Sequence, residues 1–324
     1  MPDLAAVRAK LTEIRGVRRI TDREVVIQRR VMLTITTVPL AGLLFAIVQM
    51  WGWGISGVDL GLLIGFYVFT GLGITVGYHR LFTHRSFEAV APVRWIYAIA
   101  GSMAIQGAVI DWVATHRRHH AYSDDVGDPH SPHLDSATGV RGILRGLFHA
   151  HMGWLFEPAG TENDVWAPDL MEDRAIHRIH RAFPWLVLAS FVLPGILGGL
   201  VTWSIGGLVS GFVWGGLIRI FLLHHVTWSI NSICHFYGTR PFDSRDEARN
   251  NFVMALLAFG EGWHNAHHAF PASARHGLRW WEVDFSWITI RLMKLVGLVK
   301  SVKLPSSNQL ARKMRPRTPA IDQA

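Results

Sequence analysis

Four stretches of this chain are apolar over the length a helix needs to cross a bilayer. They fall at about 31–50, 58–78, 183–202 and 205–227, each close to the ~20 residues that cover a hydrocarbon core of ~30 Å. Gly, Ala, Ser and Thr recur within them, the small residues that let membrane helices approach closely. The links at 51–57 and 203–204 are short. The pattern predicts an all-α membrane protein with four transmembrane helices in two hairpins. A fifth apolar stretch, 93–110, is broken by Arg94 and Gln106. It is predicted to be interfacial or re-entrant. If it crossed, the histidines at 79–84 and 116–120 would face opposite sides of the membrane.

Outside the spans the chain is polar. Residues 79–182 and 228–304 are predicted to form a cytosolic helical cap, so that 31–304 is a single domain. Residues 1–30 read as a basic, helical lead-in with no apolar segment of the kind a signal peptide carries. Residues 305–324, without apolar period, read as a disordered tail.

Charge sets the orientation. Of 32 Lys and Arg, eight lie in 1–30, ten in 79–181 and thirteen beyond 226, and Arg219 alone falls inside a span. Cytoplasmic loops carry the excess of Lys and Arg. Both termini and both polar blocks are therefore expected on the cytoplasmic side of an inner or plasma membrane. The net charge of +8 follows from that bias and does not indicate a nucleic-acid binder, because the cations flank spans and form no stripe with stacking aromatics. Trp51, Trp53, Trp203 and Trp228 stand near the predicted span ends, where interfacial tryptophans gather. The single cysteine, Cys234, permits no internal disulfide, in keeping with a cytosolic face.

The candidate chemistry is histidine. His116, His119 and His120 stand at i, i+3 and i+4, one face of a helix, which can close three imidazoles on a metal. The spacing repeats at His264, His267 and His268. A looser pair, His79 and His84, follows the second span, and Asn231 and His235 follow the fourth. By the topology all of these lie at one membrane face. Nine imidazoles are too many for one ion. They suit two ions of four or five ligands each, with Asn231 completing a shell, directly or through water. Imidazole is compatible with zinc, copper, iron and nickel. Structural zinc sites are usually rich in cysteine, so an open, nitrogen-rich dinuclear site points to iron and oxygen chemistry. Glu261, Asp124, Asp125 and Asp128 are near enough in sequence to orient ligating rings. The other nine histidines, His224 and His225 included, are assigned ordinary roles. A metal transporter would need ionisable groups within the spans, where these histidines do not lie.

The boxes His79-x4-His84, His116-x2-His119-His120, Asn231-x3-His235 and His264-x2-His267-His268, on a four-span chain, resemble those of the integral-membrane fatty acid desaturases, specifically the delta-9 (stearoyl-CoA type) group in a bacterial form without fused cytochrome b5. Flanking text agrees: Gly-Tyr-His-Arg-Leu-Phe-Thr-His-Arg-Ser-Phe, Gly-Asp-Pro-His, and Gly-Glu-Gly-Trp-His-Asn-Ala-His-His-Ala-Phe-Pro. The resemblance implies an oxidoreductase with two irons and O2 as co-substrate. It would convert a saturated long-chain acyl group carried on CoA to a cis-delta-9 monounsaturated one. It implies that the nine histidines are both the metal ligands and the catalytic set, with the acyl chain held in a dry tunnel between the spans. Tyr67 and Gly71 become candidates for the tunnel's far wall. Asp111, where the family has Asn, and Trp112 are placed near the acyl carbonyl, and Trp228 joins them as a substrate residue. Arg117 and Arg118 become a cationic rim facing headgroups or the anionic part of the substrate. The first box separates this pattern from membrane hydroxylases, which commonly have His-x3-His there.

Two departures from the family matter. Where animal acyl-CoA desaturases carry cations for the CoA phosphates, this chain reads Phe156-Glu-Pro-Ala-Gly-Thr-Glu-Asn163, with no Lys or Arg. Arg141, Arg145, Arg174 and Arg178 are the substitutes, and an acyl chain on phospholipid or carrier protein stays open. No His-Pro-Gly-Gly signature or four-cysteine site occurs, so electrons are expected from a separate donor such as ferredoxin with an NAD(P)H-dependent reductase.

Overall fold

The computed structural model describes residues 13–133 and 139–315, the side chains of 49–53 excepted. In chain order it begins with strand β1 (Val17–Arg19) and helix α1 (Asp22–Trp53). The expected helical lead-in is corrected for the described residues 13–30: of these only 22–30 is helical, and 17–19 pairs antiparallel with 159–161 instead. The start of α1 explains the change. Glu24 accepts from the Thr21 amide at 2.7 Å, a reciprocal cap that begins a helix there. Residues 1–12 and the side chains of Trp51 and Trp53 lie outside the described residues.

Helix α2 (Gly57–Leu72) opens on a capping box between Ser56 and Asp59. It continues without interruption as a π-helix through Gly73–Thr83. Then come strand β2 (Glu88–Ala89), α3 (Ala91–Ser102), a break at 103–108, and α4 (Val109–Tyr122). The fifth apolar stretch is thus two pieces. The first is only 12 residues, too short to span. Ile105 at φ 58° and Gly107 at φ 118° turn the chain back, as a re-entrant segment must.

The cap's first block adds α5 (Gly139–His151), strand β3 (Ala159–Thr161) and α6 (Arg174–Arg181). The second hairpin is α7 (Phe183–Thr202) and a long composite of α8 (Ile205–Gly211), a π-helical turn Phe212–Ile218 and α9 (Arg219–Ser232). A Cβ at Gly198 would strike the Gly207 carbonyl, and one at Gly211 the Pro194 carbonyl. Only glycine lets these backbones meet so closely. Among the described residues four helices are long and apolar enough to cross a membrane: Asp22–Val48, Gly57–Thr83, Phe183–Thr202 and Ile205–His235. The two hairpins are as expected, but the second and fourth helices overrun the predicted ends and carry His79 and His235 with them. Trp228, expected at an interface, is instead 5% exposed and inside the bundle, whereas Trp203 is 89% exposed.

The second block holds α10 (His264–Ala269), α11 (Phe285–Leu295), strand β4 (Val299–Lys300) paired with β2, and α12 (Ser307–Lys313). The disordered-tail expectation is corrected for 305–315. Ser306 and Gln309 form a capping box, and the Asp243 amide donates to the Lys313 carbonyl at 2.7 Å. Local capping there substitutes for apolar period. Residues 316–324 are outside the described set. The main core, around Val76, Tyr78, Val109, Ile110, Ile176 and Ile290, locks the extension of α2 to α3, α4, α6 and α11. That core fixes where the histidines sit.

Candidate metal centre

The π-helical winding of 73–83 explains the loosest motif. His79 and His84 are five residues apart, which on an α-helix, at 100° per residue, would point them ~140° apart. In i→i+5 winding the fifth residue returns above the first. The His84 amide donates to the His79 carbonyl at 3.1 Å, and the two rings lie 4.8 Å apart.

The nine histidines form two groups. His79, His84, His116, His120 and His267 converge, with ligand atoms all within 4.8 Å of one another. His119, His235, His264 and His268 form the second group. One expectation is corrected here: the three histidines of a box do not close on one ion. On α4, His116 and His120 enter the first group and His119 the second. On α10 the shares reverse, with His264 and His268 in the second and His267 in the first. The reason is angular. Positions i+3 and i+4 flank i on either side and stand ~100° apart on the helix, so a box stretches across two ions.

The protonation pattern shows what these groups are built to hold. Carboxylates only accept, so a ring nitrogen facing one carries the proton. His119 Nδ1 donates to Asp128 at 3.0 Å, His235 Nδ1 to Asp124 at 2.9 Å and His268 Nδ1 to Asp246 at 2.6 Å. His79 Nδ1 faces Glu261. Each of these rings therefore turns a bare Nε2 lone pair inward. His79 Nε2 lies 3.0 Å from His267 Nε2, which lies 2.9 Å from His120 Nε2, and His235 Nε2 lies 3.0 Å from His264 Nε2. The buried nitrogens His84 Nε2 and His268 Nε2 have no hydrogen-bond partner. Buried acceptors pointed at one another are unfavourable unless a cation sits between them, so the residues present fit a pair of metal ions. Imidazoles that face the ion while their other ring nitrogen donates to a carboxylate are the usual construction of such sites.

Electrostatics agree. Burial, then the neighbouring imidazoles His79 and His120, hold His116 well below its ordinary value. Burial and adjacent rings do the same to His84, His120, His264 and His267. His268 is lowered to about 4, by burial set partly against Asp246. Burial alone would raise Asp128, but the charge and hydrogen bond of His119 bring it well below the carboxylate range. These six rings, His84, His116, His120, His264, His267 and His268, are neutral and ready to ligate near pH 7. The unfolded chain binds these histidine protons near the ordinary value of ~6.5, and the folded chain does not, so stability rises with pH in that window. The melting temperature of chelator-treated protein is expected to fall as pH drops from 7.5 through ~6.5 to 5. A melt unchanged over that range would contradict it.

Behind the first group, Arg80 is fully buried. It donates to Asp284 at 2.9 Å, to Glu261 at 3.2 Å, to the Ala274 carbonyl at 2.9 Å and to His276 Nδ1 at 3.1 Å. His276 and His130, given ordinary roles from sequence, sit against the two groups through Glu261 and Asp128. Asp246 was not among the expected carboxylates; it is one of three acidic residues, Asp243, Asp246 and Glu247, in a polar loop, and nothing in the sequence singles it out. Asp125, which was among them, gives its amide to the Tyr122 carbonyl and is not one of the four that hold a ligand ring.

A mostly apolar cavity of about 300 Å³ adjoins the clusters. Its lining includes Ile35, Ile105, Gln106, Asp111, Trp112, His116, Arg118, Trp154, Leu155, Thr161, Trp228 and Asn231. A smaller cavity of about 50 Å³ shares Trp112, His116, Thr227 and Asn231 with it and reaches His79, His264, Gly71 and Phe259. Asn231 thus stands where the cavities join. Gly71 is beside Phe259, and Tyr67 packs on that ring at 5.6 Å with its hydroxyl donating to the Leu257 carbonyl at 3.0 Å. Tyr67 backs the end of the cavity and does not line it.

The cationic-rim expectation is corrected. Arg117 turns inward to Asp169 at 2.6 Å and to the carbonyls of Phe82 and Thr83 at 2.7 and 3.2 Å. These are carbonyls that the end of the second helix leaves unpaired. Arg118, 4% exposed, donates to the Gly127 carbonyl at 3.1 Å and to Thr161 at 2.9 Å. Among the described residues it is the one Lys or Arg in the cavity lining; Arg141, Arg145, Arg174 and Arg178 lie outside it. His224 and His225 are not in either group: His224 donates to the Ala104 carbonyl at 3.0 Å, and His225 faces His151 at 3.0 Å.

Comparison with known proteins now bears on this geometry. The family model for fatty acid desaturases matches residues 57–287, which takes in all nine histidines. The chain is 43% identical over 288 residues to a hex-5-enoyl-[acyl-carrier protein] acetylenase of Moorena producens, covering 89% of this chain and 90% of the relative. It is 40% identical to an sn-1 stearoyl-lipid 9-desaturase of Anabaena variabilis, covering 83% and 91%. It is also 40% identical to the Delta-9 acyl-lipid desaturase 1 of Arabidopsis thaliana, covering 76% and 75%. With a four-helix apolar frame, two histidine clusters able to hold metal and these matches, the chain belongs to the fatty acid desaturase family.

Proposed function

We propose that this protein is a diiron, O2-dependent desaturase that introduces a cis-delta-9 double bond into a saturated long-chain acyl group carried on a membrane lipid. The observation that carries the reading is the pair of joined apolar cavities. His116 lines both, and His79 and His264 line the inner one, so a chain threaded through them passes both clusters. The nine histidines would hold the ions, with Asn231 completing the ligands of one of them, directly or through water. Two irons, when bound, would activate O2, the oxidant that takes hydrogens from unactivated methylenes. The protein's own part is to hold the chain, exclude water and fix which methylenes are near.

The lipid headgroup is favoured over CoA by charge. Phosphates call for cations, yet the segment at 156–163 contributes none. The cavity wall there is Trp154, Leu155, Ala159, Gly160 and Thr161, with no cation among them. The two 40% relatives named above are lipid desaturases by name. A carrier-protein substrate is the second reading, favoured by the 43% identity to the acetylenase. The active side is proposed to be cytoplasmic, with electrons from a separate donor such as ferredoxin and its reductase.

The test is expression in a host lacking the activity, with double bonds located by gas chromatography–mass spectrometry. A cis-9 monoene in intact membrane lipid is expected, and purified protein should act on stearoyl-phosphatidylcholine in preference to stearoyl-CoA. Hydroxylated acids without alkene would refute the reading. In the same assay Phe259→Ala, which opens the cavity end beside Gly71, is expected to shift product toward longer chains by roughly tenfold.

A further inference from the structure

A charged side chain inside a span is expensive, and by default it marks a function. Arg219 is such a group: fully buried, on the fourth span, with no carboxylate within salt-bridge distance among the described residues. Its donors go to oxygens of three different segments. Nε donates to the Gly215 carbonyl at 3.0 Å, within its own helix. Nη2 donates to the Ser190 carbonyl at 2.9 Å and hydroxyl at 2.7 Å on α7. Nη1 donates to the Met103 carbonyl at 3.0 Å, and the Ser190 hydroxyl donates to that same carbonyl at 2.5 Å.

Met103 opens the break between α3 and α4. That break is irregular backbone at membrane depth, tolerated only where protein satisfies it. It contains the two positive-φ residues, Ile105 and Gly107. Ile105, Gln106 and Gly107 line the larger cavity, whereas Arg219 and Ser190 line neither cavity. The guanidinium therefore grips a cavity wall from behind.

We propose that Arg219 is a positioning residue for regioselectivity: clamped through Ser190 to α7, it fixes the 103–107 break against the bundle and so fixes which acyl carbons come beside the metal clusters. This rests on the desaturase reading above. A shift of the wall by a fraction of one methylene rise changes the carbon presented, and misplacement of about 1 Å can cost a hundredfold in rate at the intended position. Losing the clamp lets neighbouring positions compete.

The test compares wild type, Arg219→Lys and Ser190→Ala, expressed in the deficient host, by mass spectrometry of double-bond position within each chain length. The readout is the ratio of positional isomers, not total alkene, because a merely structural defect lowers yield and leaves the ratio unchanged. Arg219→Lys, which cannot fork to Met103 and Ser190 together, is expected to raise minor isomers about tenfold. Ser190→Ala is expected to raise them by a smaller factor, and Ser190→Thr to restore the wild-type ratio. Ser190→Ala removes one hydroxyl away from the cavity and decides the matter if Arg219→Lys yields no folded protein. Wild-type isomer ratios in Ser190→Ala and in any Arg219→Lys that folds would overturn the proposal. Absence of alkene from wild type would instead refute the functional reading.

Discussion

Replacing His267 by alanine is expected to remove one metal ion from the protein and to reduce desaturation by well over the ~10²-fold that loss of an outer-shell partner costs. His267 is central to the first cluster: its Nε2 faces both His79 at 3.0 Å and His120 at 2.9 Å. Without it four rings remain there, and the second cluster keeps all of its own. The expected pattern is metal falling from two ions per chain toward one, measured by plasma mass spectrometry alongside product analysis. Full metal content with full activity would remove His267 from the site.

Arg80→Met is expected to destabilise the cap by about 3–5 kcal/mol, the cost of leaving a buried charge without its partner. Asp284 and Glu261, 3% and 7% exposed, would lose their buried cation together. The melting temperature should fall by on the order of 10 °C. Because Glu261 also orients His79, metal should be held more weakly in the fraction that stays folded. Differential scanning fluorimetry in detergent, with and without added iron, reads both effects. A melt within a degree or two of wild type would mean that the Arg80 network does not hold the cap together.

Much of this was legible in the chain. The four spans are read directly from runs of apolar residues, because no water in the bilayer can satisfy a broken backbone. The nine histidines follow from their spacing on helices entering a common face. Other features depend on contacts that spacing does not encode. The split of each box between two clusters comes from how α4 and α10 face each other across the centre. The usefulness of a five-residue gap between His79 and His84 depends on π-winding, whose signature in Gly73–Thr83 is not a pattern of residue types. Arg117 and Arg118 looked exposed because they are charged and adjacent. They turn inward because helix ends and loops left carbonyls that only long donors reach. Arg219 stood out in sequence as the lone Lys or Arg in a span, but its partners at 103 and 190 are visible only in the fold.

The central claim is that the two clusters hold two metal ions, and the most direct measurement is the iron content of wild-type protein purified from iron-supplemented cells, read with its Mössbauer spectrum. The account predicts two irons per chain in nitrogen-rich environments. One iron per chain, or two whose amount is unchanged when His119 and His267 are both replaced by alanine, would contradict it.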